Sequence, residues 1–226
     1  GVTGPARATL TLGPGVARLD GLEAPLAGGR VSADLAWRRD GLEAGFSGKF
    51  ALSGAALDAG PGATRLDAGL DLAGSGRNPA ALVAALGGEG RATLTGLTLR
   101  RVGAGALAVA IKGVEAQTIQ LDKGALERAL AARLDMGERK LAGPVETALT
   151  VATGVLRAGP VAFDGPDERL TASAALDLRT LGVETRAGVA AMAAPSHWSG
   201  APPSFEAIWR GPLGGPATRE VEAGAL

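Results

Sequence analysis

The chain has no cysteine, no tyrosine, a single histidine and an aromatic fraction of only 3%. Without Cys there can be no disulfide, no thiolate metal ligand and no Cys nucleophile. That absence fits an oxidising compartment and the cytosol equally, so it does not place the protein. The one histidine is His197, in the Pro-rich stretch APSHWSGAPP. No second His or any Cys exists to share a metal with it. A Ser–His–Asp triad would have to draw on Ser196 or Ser199, and neither lies in a nucleophile-elbow motif. His197 reads as a loop residue. Neither sign of charge is in excess, with 23 basic and 23 acidic side chains, so no basic field exists to attract nucleic acid. There is no 18-residue apolar run that would make a transmembrane helix. No basic segment followed by an apolar one opens the chain as a signal peptide would. The sequence starts at Gly1 directly in strand-like pattern, as expected of a piece of a longer protein.

What is present is glycine and small apolar residues. There are 36 Gly in 226 residues, and much of the 46% hydrophobic content is Ala. A core must therefore come from Leu, Val and Ala. The length allows a single large β domain over 1–226.

The best-specified stretch is Leu66–Leu97, which reads strand, short helix, strand. Leu66, Ala68, Leu70 and Leu72 alternate with Asp67, Gly69 and Asp71, and a period of two puts the apolar set on one face. Asn78 is a suitable N-cap, and Pro79 at N1 loses no hydrogen bond. Ala80–Leu86 are good helix formers, and Gly87-Gly88 are expected to supply a left-handed stop. Arg91–Leu97 then alternates again.

The first 65 residues carry the same pattern. Arg7–Leu12, Val16–Leu22, Arg30–Trp37 and Leu42–Leu52 read as strands, with a turn expected at Asp40-Gly41. Val31, Ala33, Leu35 and Trp37 share a face, as do Leu42, Ala44, Phe46, Gly48, Phe50 and Leu52. One apolar and one polar face is the pattern of an antiparallel sheet. Further on, Arg100–Gly113 is ambiguous: Leu107, Val109 and Ile111 alternate, yet the Ala and Gly content also allows a helix. Asp122–Met136 reads as a helix, with Asp122 as cap and Leu126, Leu130 and Leu134 recurring every four residues. Gly143–Val151, Gly154–Arg157, Val161–Phe163 and Arg169–Leu178 resume as strands, with one more strand over Leu181–Met192. Residues 193–226 read as a Pro/Gly-rich C-terminal tail containing a short strand at Phe205–Trp209. A weak repeat at an offset of 139 aligns Leu10-Thr11, Gly15-Val16, Arg18, Arg30 and Ala33 with Leu149-Thr150, Gly154-Val155, Arg157, Arg169 and Ala172.

Chemical signatures are few. GSGRNPA at Gly74–Ala80 lacks the third glycine of a dinucleotide fingerprint, and no P-loop occurs. Asp58, Asp67, Asp71, Asp164, Asp167 and Glu168 form neither a Ca²⁺-loop spacing nor an evident acid/base pair. Arg38-Arg39 and Arg100-Arg101 suit strand ends, where charge blunts an edge. A second possibility for these pairs is contact with anionic head groups. The remaining candidate is the apolar face itself: Leu35, Trp37, Phe46, Phe50, Leu70, Leu72, Leu94, Leu149, Val151 and Phe163. Two short helices offer little cover for about ten strands. Either the sheet folds on itself as a sandwich, or part of that face stays open as a groove.

The order of these units resembles the C-terminal region of the AsmA family of bacterial envelope proteins, which includes TamB-like members. The carrying residues are GSGRNPAALVAALGGEGRATLTGLTL (Gly74–Leu99), VETALTVATGVLRAGPVAFDGPDERLTASAALDL (Val145–Leu178) and the tail WSGAPPSFEAIWRGPLGGPATREVEAGAL (Trp198–Leu226). In the second, Ala174 or Ala175 stands where the family pattern commonly has Gly. The resemblance implies a long, twisted, curved β-sheet that carries acyl chains along an apolar face. It also implies a periplasmic location and tethering to the inner membrane by a segment not present in this chain. The resulting expectation is a mainly β, largely antiparallel sheet, groove-like or sandwich, with two short α-helices. Its function would be non-enzymatic handling of phospholipid or another acyl lipid in outer-membrane biogenesis, with no cofactor, metal or nucleic acid. The alternative is a scaffold for outer-membrane protein assembly that offers sheet edges to envelope assembly proteins. Enzyme activity is a more distant third.

Overall fold

The computed structural model describes residues 4–57, 63–100, 105–116, 122–134, 138–141, 143–193 and 201–224. His197, Ser196, Ser199, Asp58 and Arg101 lie outside these. Twelve antiparallel strands follow one another in a single sheet. They are β1 (Arg7–Gly13), β2 (Val16–Leu26), β3 (Gly29–Asp40), β4 (Glu43–Ala56), β5 (Arg65–Gly76), β6 (Gly87–Thr95), β9 (Val145–Ala152), β10 (Val155–Asp164), β11 (Glu168–Asp177), β12 (Gly182–Ala191), β13 (Ser204–Pro212) and β14 (Thr218–Ala223). β7 (Thr98–Arg100) and β8 (Glu138–Lys140) pair separately. The helices are α1 (Pro79–Ala84), α2 (Ala106–Glu115) and α3 (Lys123–Leu134). The protein is thus mainly β and antiparallel, as the alternation predicts, with three helices rather than two among the described residues.

The chain divides into two compact units. One holds residues 1–97, 142–159 and 175–181, and the other holds 98–141, 160–174 and 182–226. In the second unit, α2 and α3 cover one face of the strands. Leu130, Leu134, Leu170 and Ala207 are completely buried, with Leu107, Val189 and Phe205 beside them. From Ala106 on, the ambiguous stretch is helix: Ala106, Leu107 and Ala110 are buried while Val109 is 40% exposed, a spacing of three to four rather than two. Asp122 caps α3 by accepting from Gly124 N at 2.9 Å and from Ala125 N at 3.2 Å. The short strand expected at Phe205–Trp209 lies within β13, and the described part of the expected tail holds more sheet than that: β13 pairs with β12, and β14 with β13.

In the first unit, α1 is seated on glycines. Asn78 Oδ1 accepts from Ala81 N at 2.8 Å and Pro79 stands in the first turn, as the sequence predicts. The helix stops differently from expectation. Its C-cap is Ala85 in a right-handed conformation, and Gly87 and Gly88 already belong to β6. Gly74 and Gly76 of β5 lie under the helix: a Cβ at Gly76 would collide with the Leu82 backbone nitrogen, and one at Gly74 would stand 3.2 Å from Ala85 O. Gly154, at the β9–β10 turn, donates to Leu86 O at 3.2 Å.

Two β-bulges share one construction. Gly21 in β2 and Gly54 in β4 have positive φ, +61° and +63°. Each sits where the register slips by one residue, between Leu19 and Leu22 and between Leu52 and Ala55. Each donates its N–H to an aspartate on the following strand, Gly21 to Asp34 at 2.7 Å and Gly54 to Asp67 at 2.8 Å. The extra residue keeps Leu19 and Leu22 on one face, and likewise Leu52 and Ala55. The hairpins at the two ends of the offset-139 repeat also have one register. Leu10 opposes Leu19 and Leu12 opposes Ala17, while Leu149 opposes Ala158 and Val151 opposes Leu156.

The candidate apolar face

In the first unit, pairing carries the apolar side chains across neighbouring strands. Leu35, Gly48, Leu72, Gly88 and Val151 lie opposite one another in turn. Ala33, Phe50, Leu70, Gly90 and Leu149 form the next line, and Trp37, Phe46 and Gly74 another. Large and glycine positions alternate along the first of these, so large side chains lean over the gaps. A Cβ at Gly48 would lie 2.8 Å from the Phe50 ring, 3.0 Å from Leu35 Cδ2 and 3.0 Å from the Phe46 ring. Trp37 and Phe46 meet edge-on, with centroids 6.1 Å apart.

Nine of the ten residues expected on this face are brought together there, and seven of these are partly in contact with solvent. Leu35, Phe46, Phe50, Leu70, Leu72 and Leu94 are half-buried, and Trp37 is 41% exposed. Val151 and Leu149 lie on the same lines but are covered, and Phe163 lies elsewhere. Val151 is 5% exposed, because Leu82 of α1 and Leu86 just beyond the helix close over it, with Phe46, Leu70 and Leu72 packed around them. Leu149 is buried as well, flanked by Gly90 and Ala158. Phe163 does not join this face; it packs against the core beneath α2 and α3.

The most exposed part of the face lies at β1, which sequence reasoning left out of the candidate set. Leu10 is 62% exposed and Leu12 is 71% exposed. Through Leu19 and Ala17 they continue the lines of Leu35 and Trp37. The signal was present in the alternation of Arg7–Leu12. Leu42, expected on the same face as Phe46, sits in the turn between β3 and β4 and is 76% exposed.

The opposite face of this unit is charged. A depression of about 310 Å³ is lined there by Arg18, Asp20, Asp34, Ser47, Lys49 and Asp71. Lys49 Nζ stands 3.9 Å from Asp71, and Asp34 is already engaged by Gly21. Among the described residues, no group of three or more His, Asp or Glu is placed to hold a metal ion. No described helix is long and apolar enough to cross a membrane. In the second unit, Glu184 accepts from Arg186 at 2.7 Å and from Arg210 at 2.6 Å, and these guanidinium hydrogen bonds lower its pKa.

No family model matches the chain, and neither a curated protein nor a solved structure is significantly similar to it.

Proposed function

We propose that this protein is a non-enzymatic lipid-handling module of the AsmA type, which shields acyl chains against the apolar face of its first unit. The observation that carries the reading is the unbroken apolar lines from Leu10 and Leu12 through Leu35, Trp37 and Phe46, left partly in contact with solvent. Burial of apolar surface against an acyl chain stabilises by about 25 cal/mol per Å² and is non-directional. Such a site needs no polar recognition group, and the half-buried leucines and phenylalanines supply what it does need. The resemblance in Gly74–Leu99 and Val145–Leu178 supports the same reading and carries with it the periplasmic setting and a membrane tether outside this chain. Outer-membrane biogenesis is the process this reading assigns.

The test is native mass spectrometry of the protein purified from membranes, with photo-crosslinking from photoreactive residues at Trp37 and Phe50. Retained phospholipid and lipid adducts at both positions are expected, with none from a probe at Lys49 on the charged face. No bound lipid, together with equal labelling from both faces, overturns the reading.

A further inference from the structure

We propose that Arg39 is the head-group site of the apolar face, binding the phosphate of an anionic lipid whose acyl chain runs along β3 from Trp37 toward Val31. The inference rests on the lipid reading and deepens it by fixing the polar end of the ligand. The register of β3 against β4 is unbroken from Arg30 to Asp40. Alternation therefore puts Arg39 on the same face as Val31, Ala33, Leu35 and Trp37. Its cross-strand partner fixes the side: Arg39 lies opposite Ala44, and Ala44 packs against the cluster of Leu82, Leu86 and Val151. Along the paired residues of β2 to β6 and β9, Arg39 is the only charged residue on this face.

The guanidinium is available. Arg39 is exposed, its Nε donates to Gly41 O at 3.3 Å, and among the described residues no carboxylate pairs with it. The acids at this end of the hairpin, Asp40 and Glu43, oppose each other on the charged face, where Glu43 stands 3.8 Å from Arg77. Arg38 is on that charged face too, and with Arg18 it lines a depression of about 290 Å³. A guanidinium offers several N–H donors in one plane and matches a phosphate bidentately. Down β3 the face thus runs from guanidinium to indole to Leu35, Ala33 and Val31. That is the order of polarity along a lipid, from phosphate through the interfacial region to hydrocarbon. A tryptophan suits the middle position because its ring is apolar and its N–H can stay wet, and Trp37 is 41% exposed. At about 3.4 Å per residue, Trp37 to Val31 spans about 20 Å, more than the ~15 Å that an acyl chain fills in half of a bilayer core.

The experiment offers the whole chain, in detergent, an equimolar mixture of phosphatidic acid and diacylglycerol with the same acyl chains. Native mass spectrometry reads which lipid is bound. The two differ only in the phosphate, so apolar burial is the same for both. Phosphatidic acid is expected to be preferred by about five-fold, the scale of one arginine at an anionic lipid surface. Arg39→Gln is expected to abolish the preference while still binding both lipids, and Arg39→Lys to keep part of it. Arg38→Gln removes the neighbouring charge from the opposite face and is expected to keep all of it. Phosphatidic acid with a photoreactive group at the acyl end is expected to label β3 and β4 around Val31 and Leu52. With the group on the head, it is expected to label around Arg39 and Ala44. Equal occupancy by the two lipids, a preference that R39Q retains, an equal loss in R38Q, or the reverse labelling pattern overturns the proposal while leaving the lipid reading standing. Binding of neither lipid overturns the lipid reading and this inference with it.

Discussion

Trp37 on β3 lies directly opposite Phe46 on β4, and the two rings meet at 64°. The two side chains do different work. Phe46 packs into the cluster under α1, whereas Trp37 stands 41% exposed at the rim. In urea unfolding, Phe46→Ala is expected to lose about 3 kcal/mol, the usual scale for truncating a packed aromatic. Trp37→Ala should lose distinctly less. The double mutant should reveal a coupling of about 0.5–1.5 kcal/mol from the edge-to-face contact. Equal losses from the two single mutants would contradict this division of roles.

The glycines under α1 give a contrasting pair. At Gly76 a Cβ would meet the Leu82 backbone, which cannot yield without lifting the helix. Gly76→Ala is expected to cost about 1–3 kcal/mol, the range for overpacking. Gly69, on the same strand, faces solvent, and a Cβ added there would have no neighbour within 4 Å. Gly69→Ala should be neutral or stabilising by up to about 1 kcal/mol, because it restricts the unfolded chain. Thermal melting of the two variants checks the contrast, and a comparable drop in both would argue against the seating of α1 on β5.

The bulges predict a matched pair of effects. Asp34→Ala and Asp67→Ala each leave a glycine N–H without its carboxylate acceptor. Both sites are open to water, so each loss is expected at about 1 kcal/mol, below the usual range for a hydrogen bond to a charged group. Gly21→Ala and Gly54→Ala add a side chain at positive φ, with an expected cost of about 1–2 kcal/mol each. Chemical denaturation of the four variants tests this. If Asp34→Ala were silent while Asp67→Ala was not, the two bulges would not be equivalent.

These bulges also show what the sequence alone conceals. Alternation located most strands, and Asn78, Pro79 and Asp122 marked helix starts, because those signals depend on near neighbours. A bulge shifts the period by one residue, so Leu19 and Leu22 share a face that strict alternation would split between two. The placement of Phe163 in the second core and the covering of Val151 by α1 depend on contacts between elements far apart in sequence. Of the last two strands only Phe205–Trp209 of β13 was legible, and β14 was hidden by flanking Pro and Gly. The candidate face was legible in composition and period, but its openness at Leu10 and Leu12 is a consequence of strand order.

Acid should reveal the turn after β11. The Asp177 carboxylate accepts from Arg179 Nη2 at 2.8 Å and Nε at 3.2 Å, and from the backbone N–H groups of Arg179 at 2.8 Å and Thr180 at 3.3 Å. The guanidinium hydrogen bond first, then the Arg179 backbone donor, holds its pKa at about 2, below the ordinary 3.8. A carboxylate with a depressed folded pKa contributes stability that is complete above the unfolded value. That contribution fades as pH falls from about 4 through about 2, when the folded carboxylate takes up its proton. Asp177→Asn keeps one oxygen for the backbone donors and removes the charge together with the second acceptor, the one that takes Arg179 Nη2. The urea midpoint of the unmodified chain should therefore exceed that of D177N at pH 6, and the gap should narrow across this window. The gap should also shrink in high salt at pH 6, because the pair is solvent-exposed and screened. A gap of constant size from pH 6 to below pH 2 would show that the charge of Asp177 plays no part in holding the turn.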